Sequence, residues 1–415
     1  MEQPFRTLQR RELLAAAASL LPAQALKADN KALKRSIGAV ITMYVDDRLK
    51  SHAAVICGRF FAPYYPDNRR TEPSHRIVSM YVDQFPPNDV SRGLSQEHGF
   101  KIVPSIAGAL TLGTGKLAVD AVLLVGEHGD YPRNEKGQKL YPRYRLFREV
   151  VEVFRSSRRA VPVFCDKHLS YSWSEAKQMY DWSRELKFPL MAGSSIPLTV
   201  RRPEIEVPLG TVFESAVSVG MGDIDAYGFH TLESMQCLLE RRAGGEKGIA
   251  AVEFIEGDAV WKWRDSEAGR WSVPLLDAAL KTSPSTRPGR MEDNAKNPVL
   301  FLLEYVDGLR TASYLLQGHA TNFLFAGKVK GRETPMACNF GFTEPEARPL
   351  AHFDGLVHCI EQMFATGKPL YPVERTLLTT GALSLLFESR GKGRLSTPML
   401  NVRYRAPKDA YYQRT

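Results

Sequence analysis

The chain has 415 residues, 44% of them hydrophobic and 24% charged, with a formal net charge of +9. This composition excludes a disordered or fibrous protein and leaves length enough for two domains with real cores. The basic residues are dispersed, with no Arg/Lys block and no RNA-binding signature. The charge therefore reads as a solvated surface, and no nucleic-acid partner is expected.

At the N-terminus, Arg10-Arg11 precede an apolar run from Leu13 to Leu21, then Pro22-Ala-Gln-Ala25. A basic start, a short apolar core and an A-x-A end predict a signal peptide over residues 1–25. The paired arginines favour the twin-arginine route, although Gln9 and Glu12-Leu13 match that motif only in part. The expected location is periplasmic or exported. A frayed amphipathic helix is the alternative reading. The run is too short to cross a bilayer, and no later segment reads as a span. Cys57, Cys165, Cys237, Cys338 and Cys359 are scattered, odd in number and without C-x-x-C spacing. They define neither a metal site nor a disulfide framework, and free thiols in an exported chain are expected to be buried.

Residues 26–35 are a basic linker, after which strands and helices alternate. Ser36 to Val45 reads as a strand. Ser51 to Phe61 reads as a helix, with Ala53, Ile56, Cys57, Phe60 and Phe61 on one face. Arg76 to Val82 is a second strand, and Pro86-Pro87-Asn88-Asp89 marks a helix start. Val119 to Val125 is a continuous apolar run, the pattern of a strand covered on both faces. A helix from about Tyr144 to Arg155 precedes a strand from Ala160 to Asp166. Ser172 and Glu175 have capping-box spacing, which starts the next helix near Trp173. Pro189 to Ala192 is a further strand. Such repetition predicts a parallel sheet with helices on both faces.

After about residue 196 strands become adjacent. Val299 to Val306 and Leu309 to Gln317 flank Asp307-Gly308, a two-residue hairpin signal. Phe353, Leu356, Val357, Ile360, Met363 and Phe364 form a helical stripe closed by Gly367 and Pro369. Another helix covers about Glu374 to Glu388. The expected fold class is α/β: an N-terminal Rossmann-like parallel sheet, residues 36–195, and a C-terminal α/β domain with an open, mostly antiparallel sheet, residues 196–405.

The segment Val163-Pro-Val-Phe-Cys-Asp-Lys-His168 places Lys167 at the carboxyl end of a buried strand, where α/β sheets bind ligands. Lys167 is there either a working acid or a solvated charge. The order Phe164-Cys-Asp-Lys-His168, Pro189-Leu-Met-Ala-Gly193, Tyr227-Gly-Phe-His230, Gly367-Lys-Pro369 resembles the glucose–fructose oxidoreductase / inositol dehydrogenase / MocA family over residues 36–405. The resemblance implies a Rossmann domain joined to an α/β domain and NAD(P)-dependent oxidation of sugars or polyols. It also implies that Lys167 binds the substrate hydroxyl and the cofactor ribose, with His230 as acid-base partner. The family's open second sheet often supports dimers or tetramers, so a homo-oligomer is expected.

Asp225 lies one residue further from His230 than the family's aspartate, with Ala226 in that place. It reads as a substrate ligand reached through a bulge or as an exposed loop acid. Tyr227 and Tyr131 are candidate substrate contacts. Glu127 and His128 stand where the family's cofactor loop lies; they read as cofactor-side acid-base groups or as lining of a crevice that no longer takes a dinucleotide. Asp83 ends the second strand, where an acid holds the ribose hydroxyls and favours NAD over NADP. The glycine fingerprint of the first strand–helix turn is missing, for no glycine lies between Ile41 and His52. Tyr44 and Val45 add bulk and Asp46-Asp47 add negative charge, with Arg48 and Lys50 as compensation. Two functions follow. The leading one is an exported oxidoreductase passing hydride between bound NAD or NADP and a small carbohydrate-like substrate. The rival is a carbohydrate-binding or interaction protein that kept the fold and lost the dinucleotide.

Overall fold

A computed structural model describes residues 34–45, 51–341 and 350–414. The expected signal peptide and Asp46, Asp47, Arg48 and Lys50 lie outside the described residues.

The first sheet contains β1 (Arg35–Ile41), β2 (His75–Val82), β3 (Lys101–Ile102), β4 (Ala121–Val125), β5 (Val163–Asp166) and β6 (Leu190–Gly193). Their order is β3-β2-β1-β4-β5-β6, every pairing parallel. β4 is buried along its whole length, as its unbroken apolar run requires of a strand covered on both faces. Helices α1 (His52–Cys57), α2 (Ser91–His98), α3 (Ile106–Thr111), α4 (Arg143–Ser157) and α5 (Trp173–Glu185) connect the strands. One face packs on α3, α4 and α5 through Leu110, Phe147, Val150 and Met179. The other face meets α1 through Ala53 and Ile56.

Several local expectations shift. β1 ends at Ile41, short of the expected Val45, with the Thr42 N–H still bonded to Val125 O and its hydroxyl to Glu127 O. The helix expected after Pro86 begins only at Ser91. The run from Ser51 to Phe61 is helical, but its last turn tightens to a 3-10 helix over Gly58–Phe60. The α5 capping box does not close; Glu175 turns to the Ser170 hydroxyl and Ser172 pairs with Ser174.

The second sheet has β7 (Arg201–Arg202), β8 (Phe213–Gly220), β9 (Ile249–Glu256), β10 (Val299–Tyr305), β11 (Arg310–Leu315), β12 (Phe323–Val329), β13 (Met336–Phe340) and β14 (Leu395–Ser396). Their order is β14-β9-β10-β11-β8-β12-β13-β7. It is antiparallel except between β8 and β11. β10 and β11 form the expected hairpin, with Gly308 at φ +86°, a value an L side chain resists. α6 (Ala226–Leu239) and a C-terminal helix pack on one face. The other face is covered by α7 (Asp258–Asp265) and α8 (Val273–Leu280), with Val260, Leu275 and Leu276 against Val217, Leu300 and Leu324.

α9 (Met291–Asn294) lies in the loop before β10, and α10 (His352–Thr366) carries the Phe353 stripe. This stripe packs on the first sheet, against Ile37, Ala39 and Leu123, rather than within the second domain. α11 (Val373–Ser389) then runs between the two sheets, touching α5, β6, α6 and β9. The carboxyl ends of β1, β4, β5 and β6 therefore face α6 across one crevice. The five cysteines are free and buried. Among the described residues no helix is long and apolar enough to cross a membrane, and no cluster of His, Cys, Asp and Glu could hold a metal ion.

Candidate functional site

The strand order reverses between β1 and β4, and a cavity of about 270 Å³ opens at their carboxyl ends, the crevice where doubly wound sheets take ligands. Glu127, His128, Lys167, Asp225, Tyr227 and His230 all line it. Six of the eight residues singled out from sequence thus converge; Asp83 and Tyr131 do not reach this cavity.

Lys167 follows the last residue of β5 with φ at 66°, a left-handed conformation that costs a side-chain-bearing residue of order 1 kcal/mol or more. Its N–H is tied to Gly193 O at 3.2 Å, which holds the turn. Gly193 itself sits at φ +130°, and a Cβ there would come within 2.6 Å of Glu233 Oε1. The side chain of Lys167 is 3% exposed. Its Nζ lies 2.5 Å from His230 Nε2 and 3.7 Å from Glu127 Oε1. An ammonium only donates, so His230 Nε2 accepts and its proton sits on Nδ1, which donates to Ser194 Oγ at 2.5 Å. Burial first, and then the Lys167 charge, push His230 well below the ordinary histidine range. The imidazole is thus kept neutral by desolvation and a neighbouring cation.

Glu127 also pairs with the buried Arg143 guanidinium. Burial raises the Glu127 carboxyl, but Lys167 and Arg143 outweigh it and hold the group ionised, far below the usual carboxylate range. Sequence reading missed Arg143 because it looks like an ordinary helix-start residue after Pro142. The signal was its neighbour across the turn: a Cβ on Gly126 would lie 2.5 Å from Arg143 Cγ. Arg143 Nη1 also donates to His168 Nε2 at 3.3 Å. His168 is therefore neutral with its proton on Nδ1, and that buried atom has no hydrogen-bond partner.

Asp225 is 3% exposed and precedes α6, so it is not a solvated loop acid. Its Oδ2 accepts from Lys139 N at 2.8 Å, while Oδ1 is buried without a partner. Burial pushes its carboxyl up to about 6. Two carboxyls of one cavity thus part company: Glu127 is a permanent counter-ion and Asp225 exchanges its proton near neutrality, the arrangement that separates structural from acid-base roles. Tyr227 stands over the cavity, its ring 5.7 Å from that of His230. At the rim Arg133 pairs with Asp223 at 3.1 Å. Behind the site, Glu233 accepts from Ser194 N at 2.5 Å and meets the Thr376 hydroxyl. Thr376 has one proton and two acceptors, since it also bonds Ala192 O. A protonated Glu233 supplies the second proton, in keeping with burial pushing that carboxyl up to about 7.

The β1 and β2 side of the crevice is different. Asp83 Oδ1 accepts from Tyr81 at 2.7 Å and Arg145 at 2.5 Å, and its Oδ2 accepts from Tyr131 at 2.7 Å. At the start of α1, Ser51 Oγ caps Ala54 N and His128 Nδ1 accepts from His52 N at 3.3 Å. His128, at φ 68°, is bent over that turn, and burial with the nearby His52 pushes it down to about 4. His52, also missed from sequence, donates from Nδ1 to Asp166 Oδ2 at 2.7 Å.

A parallel sheet with a switch-point crevice, followed by a mostly antiparallel sheet, is an architecture shared with solved dehydrogenases. GenD2 from gentamicin A biosynthesis, solved in complex with NAD, matches 88% of this chain and 96% of its own with a TM-score of 0.56 at 12% identity. Apo scyllo-inositol dehydrogenase from Lactobacillus casei matches 88% and 98% with a TM-score of 0.53 at 10% identity. A probable dehydrogenase from Thermotoga maritima matches 88% and 99% with a TM-score of 0.53 at 12% identity. At such identities the likeness defines the fold. No protein-family model and no curated protein matches the chain.

A dinucleotide in such a fold needs a glycine turn after β1, free N–H groups at the first helix and an acid open to the ribose. Here no glycine lies between Ile41 and His52. The first N–H groups of α1 meet Ser51 and His128, and Asp83 is bonded on both oxygens. The residues present do not fit a dinucleotide held in that way.

Proposed function

We propose that the cavity binds a small carbohydrate-like molecule and exchanges protons with its hydroxyl or carbonyl oxygens, without a dinucleotide held in the Rossmann manner. The observation that carries this reading is Lys167 Nζ, fixed by His230 and Glu127 at the end of β5 in a cavity of about 270 Å³. Lys167 keeps ammonium hydrogens for a ligand oxygen, and Asp225 Oδ1 offers a lone pair to a ligand hydroxyl. Facing donor and acceptor groups of this kind suit a polyhydroxylated molecule, whose every hydroxyl both gives and takes. The lining cations Arg133, Lys139 and Lys167 are matched by Glu127, Asp223 and Asp225, which favours a neutral ligand.

A second reading is the oxidoreductase of the glucose–fructose oxidoreductase / inositol dehydrogenase / MocA family, with hydride passing between NAD(P) and a sugar or polyol. The likeness in fold to GenD2, solved with NAD, favours it. It requires His128 and the Asp83–Tyr131 pair to leave their present partners. Export through the twin-arginine route belongs to this proposal in either form, on the Arg10-Arg11 pattern. Calorimetry with a panel of neutral sugars, polyols and sugar acids tests the first reading. A neutral sugar is expected to bind, with affinity lost in Lys167→Met and Asp225→Asn. Unchanged affinity in both variants contradicts it.

A further inference from the structure

Asp166 and Lys167 are adjacent, and each secures a different histidine of the same cavity. Lys167 meets His230; Asp166, 1% exposed, accepts from His52 Nδ1 at 2.7 Å. His52 lines the cavity together with His230. Its Nδ1 is committed to the carboxylate, which fixes the tautomer and leaves the lone pair on Nε2 for the cavity. The ring is steadied by edge contact with Phe353, centroids 5.1 Å apart. A carboxylate behind one ring nitrogen is how proteins prepare an imidazole to take a proton at the other.

We propose that His52, positioned by Asp166, is a second proton-transfer centre of this cavity, and that the ligand is a small hydroxy-carbonyl sugar undergoing a proton shift. This rests on the carbohydrate reading above and deepens it. His52 Nε2 removes the proton from the carbon beside the carbonyl. The released electron pair forms the double bond of an enediol, and the carbonyl oxygen takes a proton from Lys167. The neighbouring hydroxyl then returns its proton to Lys167 as its own carbonyl forms, and His52 delivers its proton to the former carbonyl carbon. Both side chains are restored, the sugar is isomerised, and no oxidant or reductant is consumed. Lys167, with Arg143 and Glu127 behind it, stabilises the charge that develops on oxygen. A two-centre proton shift needs no dinucleotide, in keeping with an Asp83 that is bonded on both oxygens within the chain.

The test follows deuterium uptake by proton NMR when the full chain is held in D2O with a panel of neutral aldoses and ketoses, alongside calorimetry on the same panel. A sugar that binds is expected to exchange the C–H proton beside its carbonyl. His52→Gln is expected to lower that rate about 10²-fold or more while binding persists. Asp166→Asn is expected to lower the rate with affinity retained and to move the His52 proton off Nδ1, read from nitrogen-15 shifts. A sugar that binds but keeps its proton, or exchange at the full rate in His52→Gln, overturns the inference and leaves the binding site standing. A panel in which nothing binds overturns both.

Discussion

The two ends of the crevice handle their polar groups in opposite ways. Among the described residues of the β1–β2 end, Asp83 is bonded by Tyr81, Tyr131 and Arg145, and backbone N–H groups in the first turn of α1 by Ser51 and His128. At the β5–α6 end the groups are charged and incompletely bonded, with Asp225 Oδ1 and His168 Nδ1 buried and unpartnered. Buried polar atoms without partners are rare and call for an explanation; a ligand in the cavity supplies one. The difference teaches that a fold can keep its crevice while the place of recognition moves along it. The described polar groups near Asp83 hold one another, whereas Asp225 keeps an unpartnered oxygen at the other end.

Substitutions sharpen the contrast. The largest effect is expected for Glu127→Ala, which leaves Arg143 and Lys167 buried without their counter-ion. Loss of one partner of a buried pair costs about 3–5 kcal/mol, to be read from urea unfolding; a loss below about 1 kcal/mol would show that the charges are solvated. Next is the pH dependence of Glu233. Its folded carboxyl is raised to about 7, so its contribution is complete at low pH and is lost as pH rises from the unfolded value through about 7. A carboxyl raised that far above its unfolded value is linked to roughly 3 kcal/mol of stability, of which about 2–3 kcal/mol falls between pH 5 and pH 8. Between pH 5 and pH 8 the wild type should lose stability relative to Glu233→Gln; parallel profiles would contradict a protonated Glu233.

At the closed end, Asp83→Asn should cost about 1.5–3 kcal/mol of stability through its charged hydrogen bonds, with sugar affinity unchanged. Unchanged stability would mean that Asp83 is held for a ligand instead. The smallest effect has the opposite sign. Asp225, pushed up to about 6, is ionised and buried at pH 8. Asp225→Asn should then raise stability by about 1 kcal/mol, a melting-temperature shift of only about 1 °C in a chain of this length, while sugar binding is lost.

Much of the fold was legible because periodicity reports burial directly. The Val119–Val125 run became a strand covered on both faces, and the Asp307-Gly308 signal became a hairpin. The placement of the Phe353 stripe was not legible. Amphipathicity states that a face is buried, not against which sheet, and α10 crosses back to the first one. In the site, Lys167, His230, Glu127, His128, Asp225 and Tyr227 converge as strand-end and helix-start logic implies. Asp83 stood where a ribose acid stands, but sequence spacing could not reveal that Tyr131 and Arg145 would reach it from other elements. His52, Asp166, Arg143 and Ser194 were missed because each looks ordinary in sequence. Their roles arise from contacts between residues far apart in the chain, such as the 2.7 Å bond from His52 to Asp166.

The central claim is that, among the described residues, side chains of the chain itself bond Asp83 and the first turn of α1, where a Rossmann dinucleotide would be held. Calorimetric titration of the purified full chain with NAD and with NADP, after checking the protein for released nicotinamide, tests it most directly. No released nicotinamide and no heat of binding at millimolar dinucleotide are expected. Bound nicotinamide, or a micromolar dissociation constant for either dinucleotide, would contradict the account.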